Sequence, residues 1–471
     1  MVSICEFQRK YARAIRAGYA AVFAGAGLSR PSGYVDWRGL LRDIASDIRL
    51  DVDVEQDLIA VAQYYCNEKN SRAQLNDLIL NEFVSNGREN EGLDILSRLP
   101  IDTYWTTNYD HLIEDVLQKS GKRVDIKTTP KSLATILDGR DAVVYKMHGD
   151  YTTPETCVIT KDDYESYHFS RQLFTTALQG DLVSKTFLFI GFSFDDPNLS
   201  YILSRIRSLL NENQREHYCL FERPHRREEE SSEAFEYRSR KSELKIHDLQ
   251  RYGIQAVLLD SYSQIPEILA GVCHRVRSKC VFLSGSAADY GIWSEETAVN
   301  FIRLLTKRLC DQGYQIITGH GKGVGSYVIS SVLEKYGNNL HEIERHLVIR
   351  AFPFQDRDRS NYDEIVKEYR TGIFQQAGVS IILFGNKKHN DKLGEATGVI
   401  QEFELAQDSG CYILPLGSTG FAAARIYGQM YRTPDMYPYL SEHWDYLANC
   451  TDPEELTNQV LEILQRIQNS F

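Results

Sequence analysis

The stretch FAGAGLSRPSGYVDWRG, from Phe23 to Gly39, joins a short apolar run to a helical pattern through a turn rich in glycine. The preceding AAVFAG predicts a buried strand, and DWRGLLRDIASDI has helical periodicity. Glycines after a strand let the backbone approach a phosphate, and the N–H groups at the start of the next helix bind anions. A tight strand-to-helix turn explains the same residues. The stretch matches neither G-x-G-x-x-G, because Arg30 takes the third glycine position, nor a Walker loop.

Three later stretches repeat this strand, loop and helix order. IDTYWTTNYD, DAVVYKMHGD and KTFLFIGFSF each end an apolar run in a polar loop that a helical pattern follows. Such repetition predicts a parallel sheet whose ligand chemistry lies at the carboxyl ends of its strands. IQAVLLDSY predicts one more strand, and the mixed-charge segment 223–245 is typical of a solvated helix rather than a disordered linker.

A second series of alternating elements begins at KCVFLSGSAADYG. It predicts a strand at 281–284, a helix at about 294–311, a strand at 314–318 and a helix at 326–336, and GVSIILFGN and GCYILPLGSTG add buried strands. We expect an α/β protein of two Rossmann-like parallel-sheet domains, residues 1–278 and 279–471.

Composition narrows the class of protein. The 471 residues carry a formal net charge of −12, which argues against a nucleic-acid partner held by bulk charge but allows a locally positive pocket for a small anion. The nine cysteines form no C-x-x-C pair, so neither a zinc knuckle nor a thioredoxin-type site is indicated. With no apolar run of membrane-spanning length, we expect a soluble cytoplasmic protein without a membrane partner.

Four motifs in this order resemble the NAD-binding signature of the sirtuin family. The string that opens with Gly25 is followed by an acid–aromatic–arginine run, with Trp37 where that family has phenylalanine. TTNYD resembles the family's threonine–glutamine–asparagine–x–aspartate motif, and Thr107 replaces the glutamine. Met147-His148-Gly149 and Gly191-Phe192-Ser193 resemble its later motifs. The resemblance implies NAD⁺ contacts from Gly25, Ala26, Gly27, Ser29, Asp36, Trp37, Arg38, Asp110, Gly191 and Ser193.

The resemblance also implies cleavage of the bond between ribose C1′ and nicotinamide. His148 is then the general base, since the ordinary pKa of imidazole is close to neutral pH. Asn108 orients the ribose or an attacking water, and Asp110 binds the nicotinamide carboxamide. Each has a structural alternative: a strand-end histidine, a helix cap at Asn108, and a helix-dipole acid at Asp110.

One departure from the sirtuin pattern concerns metal. Deacylating sirtuins carry a four-cysteine zinc module after the histidine–glycine pair, whereas only Cys157 lies between His148 and Gly191. We therefore expect no metal, and plain NAD⁺ hydrolysis to ADP-ribose and nicotinamide is favoured. A zinc-free NAD-dependent protein deacylase and a non-catalytic nucleotide-sensing scaffold are the alternatives.

The C-terminal part contains two glycine turns, FLSGSA with Gly285 and Ser286, and TGHGKGVGS with Gly321 and Gly323. They resemble the SLOG family of nucleotide sensors, although tight turning explains them too. A sirtuin-like domain followed by a SLOG domain resembles the NAD-hydrolysing effectors of the Thoeris antiphage system. That resemblance implies a homo-oligomer, in particular a tetramer, and activation by a cyclic ADP-ribose isomer made by a TIR-domain partner. It also implies activator contacts from Arg370, Lys387 and Glu402, which otherwise are solvated charges.

Overall fold

The computed structural model describes residues 1–84, 87–211, 213–228, 230–353, 361–389 and 392–469. The chain divides into two compact units, Met1–Cys273 and His274–Phe471. The division falls inside the helix Ile265–Arg277, just before the boundary near residue 278 that the sequence predicts. None of the described helices is both long enough and apolar enough to cross a membrane.

The N-terminal unit is built on a seven-stranded sheet in which every neighbouring pair of strands is parallel. Its strands are β1 (Ala20–Ala24), β2 (Thr103–Thr106), β3 (Val124–Lys127), β4 (Ala142–Lys146), β5 (Thr186–Ile190), β6 (His217–Glu222) and β7 (Ile254–Leu259). Its helices are α1 (Ile4–Arg16), α2 (Ala26–Ser29), α3 (Trp37–Leu40), α4 (Arg42–Asp47), α5 (Leu58–Lys69), α6 (Ala73–Phe83), α7 (Glu91–Arg98), α8 (Leu112–Lys119), α9 (Lys161–Ser170), α10 (Gln172–Ser184), α11 (Pro197–Leu210), α12 (Ser232–Gln250) and α13 (Ile265–Arg277).

The strand order β3-β4-β2-β1-β5-β6-β7 decides where a ligand can bind. The chain places β2, β3 and β4 on one side of β1 and then resumes at β5 on its other side, so a crevice opens between the carboxyl ends of β1 and β5. Both strands are buried at every position, which is typical of a parallel sheet covered on both faces. The loops after β1 and β5 carry the first and the last of the four predicted motifs.

The C-terminal unit has a smaller parallel sheet of five strands and one antiparallel hairpin. Its strands are β8 (Cys280–Ser284), β9 (Gln315–Thr318), β10 (Leu347–Ile349), β11 (Val379–Ile382), β12 (Asn386–His389), β13 (Lys392–Glu395) and β14 (Tyr412–Pro415). Its helices are α14 (Glu295–Asp311), α15 (Gly325–Tyr336), α16 (Leu340–His346), α17 (Tyr362–Gln376), α18 (Thr397–Asp408), α19 (Phe421–Met430), α20 (Trp444–Asn449) and α21 (Pro453–Asn469). The order β10-β9-β8-β11-β14 places the equivalent crevice between β8 and β11.

The fold class predicted from the sequence is confirmed, because both large sheets are parallel and alternate with helices. The predicted helix at 223–245 is correct only from Ser232, where α12 begins after its cap Ser231. Strands β3, β6 and β10 and the β12–β13 hairpin were not predicted. The hairpin sequence around Lys387 and Lys388 is charged and exposed, so it lacks the apolar run that marks a strand.

The turns after β1 and β5 are held together by direct backbone contact between glycines. The Gly27 N–H donates to the Gly191 carbonyl at 2.9 Å, and the Gly25 N–H donates to Ile190 at 3.0 Å. Gly191 has a left-handed φ of +65°, and a Cβ there would collide with the amide nitrogen of Leu28. The glycines therefore serve the close approach of two loops of the protein itself.

A buried lysine joins the loop after β2 to the loop after β4. Lys146 ends β4 and is fully buried. Its Nζ lies 2.8 Å from the Glu114 carboxylate and 2.7 Å from that of Asp150, and it donates to the carbonyls of Tyr109 and Asp110. Burial alone would lower the pKa of Lys146, but the two carboxylates outweigh it and raise that pKa, so the ammonium stays charged.

We expect Gly191→Ala to destabilise the N-terminal unit much more than Gly18→Ala. Both glycines have left-handed φ, so each alanine carries a conformational cost of about 1 kcal/mol. Nothing lies within 4 Å of a Cβ at Gly18, whereas at Gly191 the added methyl meets backbone. This overpacking should cost a further 1–3 kcal/mol or so. Urea unfolding of the full chain measures both variants, and equal losses would show that the loop contact carries no strain.

Lys146→Met should lower the free energy of unfolding by about 3–5 kcal/mol, because it leaves two buried carboxylates without a counter-ion. The matched control is Lys185→Met, which removes a lysine paired with the exposed Asp102 at 2.7 Å. A pair of that kind contributes about 0–1 kcal/mol. Thermal unfolding compares the two, and a loss for Lys146→Met no larger than the control's would contradict the structural role of Lys146.

Candidate active site

Asn108, Ser29 and Asp110 form a buried chain of hydrogen bonds at the crevice of the N-terminal unit. The Asn108 Nδ2 donates to the Gly25 carbonyl at 3.1 Å and to the Ser29 Oγ at 3.0 Å. The Ser29 hydroxyl in turn donates to Asp110 Oδ2 at 2.8 Å. Residues that the sequence assigned to two separate motifs are thus one connected group.

The Asp110 carboxylate is held from both sides. Its Oδ1 accepts from the Leu112 N–H at 3.0 Å at the start of α8, and its Oδ2 accepts from Ser29. Burial raises the pKa of Asp110, and the Lys146 charge and the Ser29 hydrogen bond oppose that rise. Asp110 therefore does stabilise the start of α8, which was the structural alternative for this residue. Each carboxylate oxygen also keeps one lone pair that a ligand could use.

Two residues of the acid–aromatic–arginine run, Asp36 and Trp37, line a cleft together with Asn108 and Asp110. Asp36 caps α3 by accepting from the Gly39 N–H at 2.9 Å, and the Trp37 ring meets Tyr164 edge-on at 6.2 Å. Arg38 instead donates to the Glu55 carbonyl, at 3.2 Å.

The cleft has a volume of about 40 Å³, far less than the 300 Å³ or so of a typical ligand pocket. Its lining is Ala26, Ser29, Val35, Asp36, Trp37, Leu40, Phe83, Thr107, Asn108, Tyr109 and Asp110.

His148 follows β4 and is almost completely buried, with 1% of its surface exposed. Its Nε2 lies 3.2 Å from an Asp196 carboxylate oxygen, and the Tyr164 and Tyr167 rings meet it edge-on. Neither ring nitrogen makes a hydrogen bond with any of the described residues. Burial lowers the pKa of His148 against the opposing effect of Asp196, so the ring is neutral at pH 7, the form that can accept a proton.

The remaining N-terminal motif residues divide between packing and exposure. Gly25, Gly27 and Gly191 pack on one another, and Ala26 lines the cleft. Ser193 is exposed on the loop after β5.

One group of side chains has the spacing of a metal site. His111, Glu114 and Asp150 bring their ligand atoms within 4.8 Å of one another. The Lys146 ammonium already lies against both carboxylates, and His111 Nε2 is 2.8 Å from Asp150. The negative charge is therefore balanced by side chains of the protein, and the arrangement does not fit a bound cation.

In the C-terminal unit, Arg370 and Glu402 meet on α17 and α18. Arg370 Nε is 3.8 Å from Glu402 Oε1, and its Nη1 donates to the Gln401 side chain at 2.7 Å. The Ser284 hydroxyl at the end of β8 donates to Glu402. Burial raises the pKa of Glu402, which the Ser284 hydrogen bond and Arg370 oppose. Arg370 Nε is buried and has no hydrogen-bond partner in the described part of the chain.

The glycine turns of this unit pack as those of the first unit do. A Cβ on Gly321 would collide with the Gly285 carbonyl, and one on Gly323 with that of Ala287. The Ser286 hydroxyl donates to the Asn386 carbonyl at 3.1 Å. Beside these turns lies a cavity of about 510 Å³, large enough for a nucleotide. Its lining is Ala287, Ala288, Asp289, Tyr290, Trp293, Glu295, Lys322, Gly323, Ser326 and Tyr327.

Lys387 belongs to the β12–β13 hairpin. It is exposed on β12, and its Nζ is 3.4 Å from the Thr397 hydroxyl at the start of α18. Of the seven residues predicted for the activator, Arg370 and Glu402 meet directly and the glycine turns meet each other.

Sequence reasoning missed three residues that shape these sites. Asp196 faces His148, Lys146 binds the Asn108 loop, and Asn386 holds the loop after β8 by accepting from Ala288 and Asp289 N–H groups at 2.9 and 3.1 Å. The aspartate–proline pair at 196–197 does signal a helix start, but not a contact with His148.

Comparisons with known proteins agree with this architecture. Residues 102–246 match the SIR2-like domain family, and residues 264–467 match the Sir2- and TIR-associating SLOG family. The NAD(+) hydrolase ThsA of Bacillus cereus (strain MSX-D12) is 44% identical, over 98% of each chain. The same-named protein of Cytobacillus dafuensis is 40% identical, over 98% of this chain and 96% of its own, and that of Acinetobacter baumannii (strain 532279) is 40% identical over 95% of each. The chain therefore belongs to the ThsA family of NAD(+) hydrolases.

Proposed function

We propose that the chain hydrolyses NAD⁺ to ADP-ribose and nicotinamide, with His148 and Asn108 as its catalytic residues. The observation that carries the proposal is their placement. Thr106 and Lys146 are register partners at the ends of β2 and β4, and Asn108 and His148 each lie two residues beyond. Parallel strands that end side by side bring these two side chains to the same edge of the sheet.

The chemistry follows from these groups. The pyridinium of NAD⁺ is a good leaving group, so the site must orient the ribose and stabilise a cationic sugar as the C1′–N bond breaks. Neutral His148 takes a proton from a ribose hydroxyl or from the attacking water, and the Asn108 amide orients that hydroxyl or water. Ser29 and Asp110 hold Asn108 in place, and the free lone pairs of Asp110 can accept from the nicotinamide carboxamide.

We propose further that a cyclic ADP-ribose isomer bound by the C-terminal unit activates the hydrolase in antiphage defence. The buried Arg370 can pair with a phosphate, and Glu402 can accept from ribose hydroxyls, while Lys387 supplies a second cation from the hairpin. The narrow N-terminal cleft and the buried His148 support a resting state that needs opening. The match to a TIR-associating family supports a TIR-domain enzyme as the source of the activator.

A homo-oligomer, in particular a tetramer, and a cytoplasmic location complete the proposal. The oligomer rests on the family membership and the location on the composition of the chain. Sedimentation of the purified chain with and without activator tests the oligomer. The protein deacylase alternative is tested by the same preparation, because it requires turnover of an acyl-lysine peptide.

His148→Ala should reduce activator-dependent nicotinamide release by about 10²–10⁴-fold, the usual contribution of a general base. The control is His168→Ala, which removes an exposed histidine on α9. Release is measured with purified chain, NAD⁺ and the cyclic product of a TIR enzyme. Equal rates for the wild type and His148→Ala would refute the assignment, and no release by the wild type would favour the scaffold.

Arg370→Lys should raise the activator concentration for half-maximal NAD⁺ hydrolysis by about 10-fold or more, because a lysine cannot reproduce the guanidinium's fork of donors. Arg466→Lys is the matched control, an arginine of the same unit that pairs with the exposed Glu442. Titration of hydrolysis against activator gives both values. An unchanged midpoint for Arg370→Lys would remove Arg370 from the activator site.

A further inference from the structure

The loop between β5 and α11 places a carboxylate against the imidazole of His148. Asp196 is the last residue before α11, and its Oδ2 lies 3.2 Å from His148 Nε2. About 9% of the Asp196 side chain is exposed, so water screens the contact weakly. The charge of the carboxylate therefore acts on the imidazole with little screening.

Asp196 is fixed in position by two further contacts. Its Oδ1 accepts from the Leu199 N–H at 2.8 Å as the cap of α11, and its Oδ2 accepts from the Tyr164 hydroxyl at 3.2 Å. The cap needs one oxygen only, and asparagine would satisfy it equally. The other oxygen, aimed at His148 and Tyr164, is not explained by the need to start a helix.

From this geometry we infer that Asp196 is a positioning residue for NAD⁺ hydrolysis, whose charge stabilises the imidazolium formed when His148 accepts a proton. The inference rests on the proposed function, since it assumes His148 is the base. In the step concerned, the O–H bond of a ribose hydroxyl or of water breaks and an N–H bond forms on His148. The positive charge on the ring then faces the Asp196 carboxylate, and the oxygen keeps the electron pair.

Other groups around the ring act more weakly or in the opposite direction. Tyr164 and Tyr167 of α9 face it with their ring edges, and Arg171 places a cation near enough to lower the pKa of His148. Arg171 is itself bound to the carbonyls of Thr128 and Thr156 at 2.8 Å. Asp196 is therefore the carboxylate that favours the protonated ring, against burial and Arg171.

The test is the pH profile of NAD⁺ hydrolysis by Asp196→Asn in the full chain, with the cyclic product of a TIR enzyme present. Since only neutral His148 works as the base, its pKa sets the acid limb of kcat. Removing the charge should move that limb to lower pH by about 1 unit. It should also lower the plateau of kcat about 10-fold or more, with the KM for NAD⁺ nearly unchanged.

Asp57→Asn is the matched control, because Asp57 caps α5 through the Ala60 N–H at 3.0 Å and is exposed. We expect Asp57→Asn to leave the acid limb and the plateau of kcat unchanged. A wild-type pH profile for Asp196→Asn would overturn the inference while leaving the hydrolase proposal intact. Absence of hydrolysis by the wild-type chain would instead reject the proposed function.

Tyr164→Phe decides the matter if Asp196→Asn does not fold. It removes the hydrogen bond that Tyr164 donates to the Asp196 carboxylate and leaves the charge, so the carboxylate stabilises a protonated His148 ring more strongly. The acid limb should then move to higher pH, opposite to the shift for Asp196→Asn. An unmoved limb in a folded Tyr164→Phe chain would count against the role of Asp196.

Discussion

The ion pairs of Lys146 are the interaction on which the N-terminal site depends. One ammonium binds two buried carboxylates, Glu114 and Asp150, and two backbone carbonyls of the loop that follows Asn108. A buried charge without its partner costs several kcal/mol, so the loss of any one member of this group destabilises the others. It fixes the loop after β2 relative to the loop after β4, and thereby Asn108 relative to His148.

The second constraint is the close packing of glycine loops at the crevice of each sheet. Gly27 on Gly191 in one unit, and Gly321 on Gly285 in the other, let two backbones approach where any side chain would separate them. A phosphate loop and a tight loop contact make the same demand for glycine. The sequence alone therefore cannot distinguish them, and in this structure the contact between loops is what the glycines satisfy.

Much of the fold was predictable because apolar runs mark buried strands, and β1, β5 and β8 lie where those runs indicate. The hairpin at Lys387 was not predictable in this way, because its two strands carry no apolar pattern and are paired by backbone hydrogen bonds alone. For the site, the motifs after β1 and β2 supplied Ser29, Asn108 and Asp110, which hydrogen bonds join in the structure. They did not predict that Asp196 meets His148, because that contact depends on how the loop after β5 folds back across the sheet edge.

The state of His148 limits how such an enzyme can be switched on. Burial lowers the pKa of the ring and favours its neutral form, which is the form that the proposed general base requires. The proposed activation would therefore need no change in the protonation of His148. In this structure the cleft is far smaller than a dinucleotide and the His148 ring is buried. Under the proposed function, an activator would favour an open cleft, and its effect would be limited to its difference in affinity for the open and closed states.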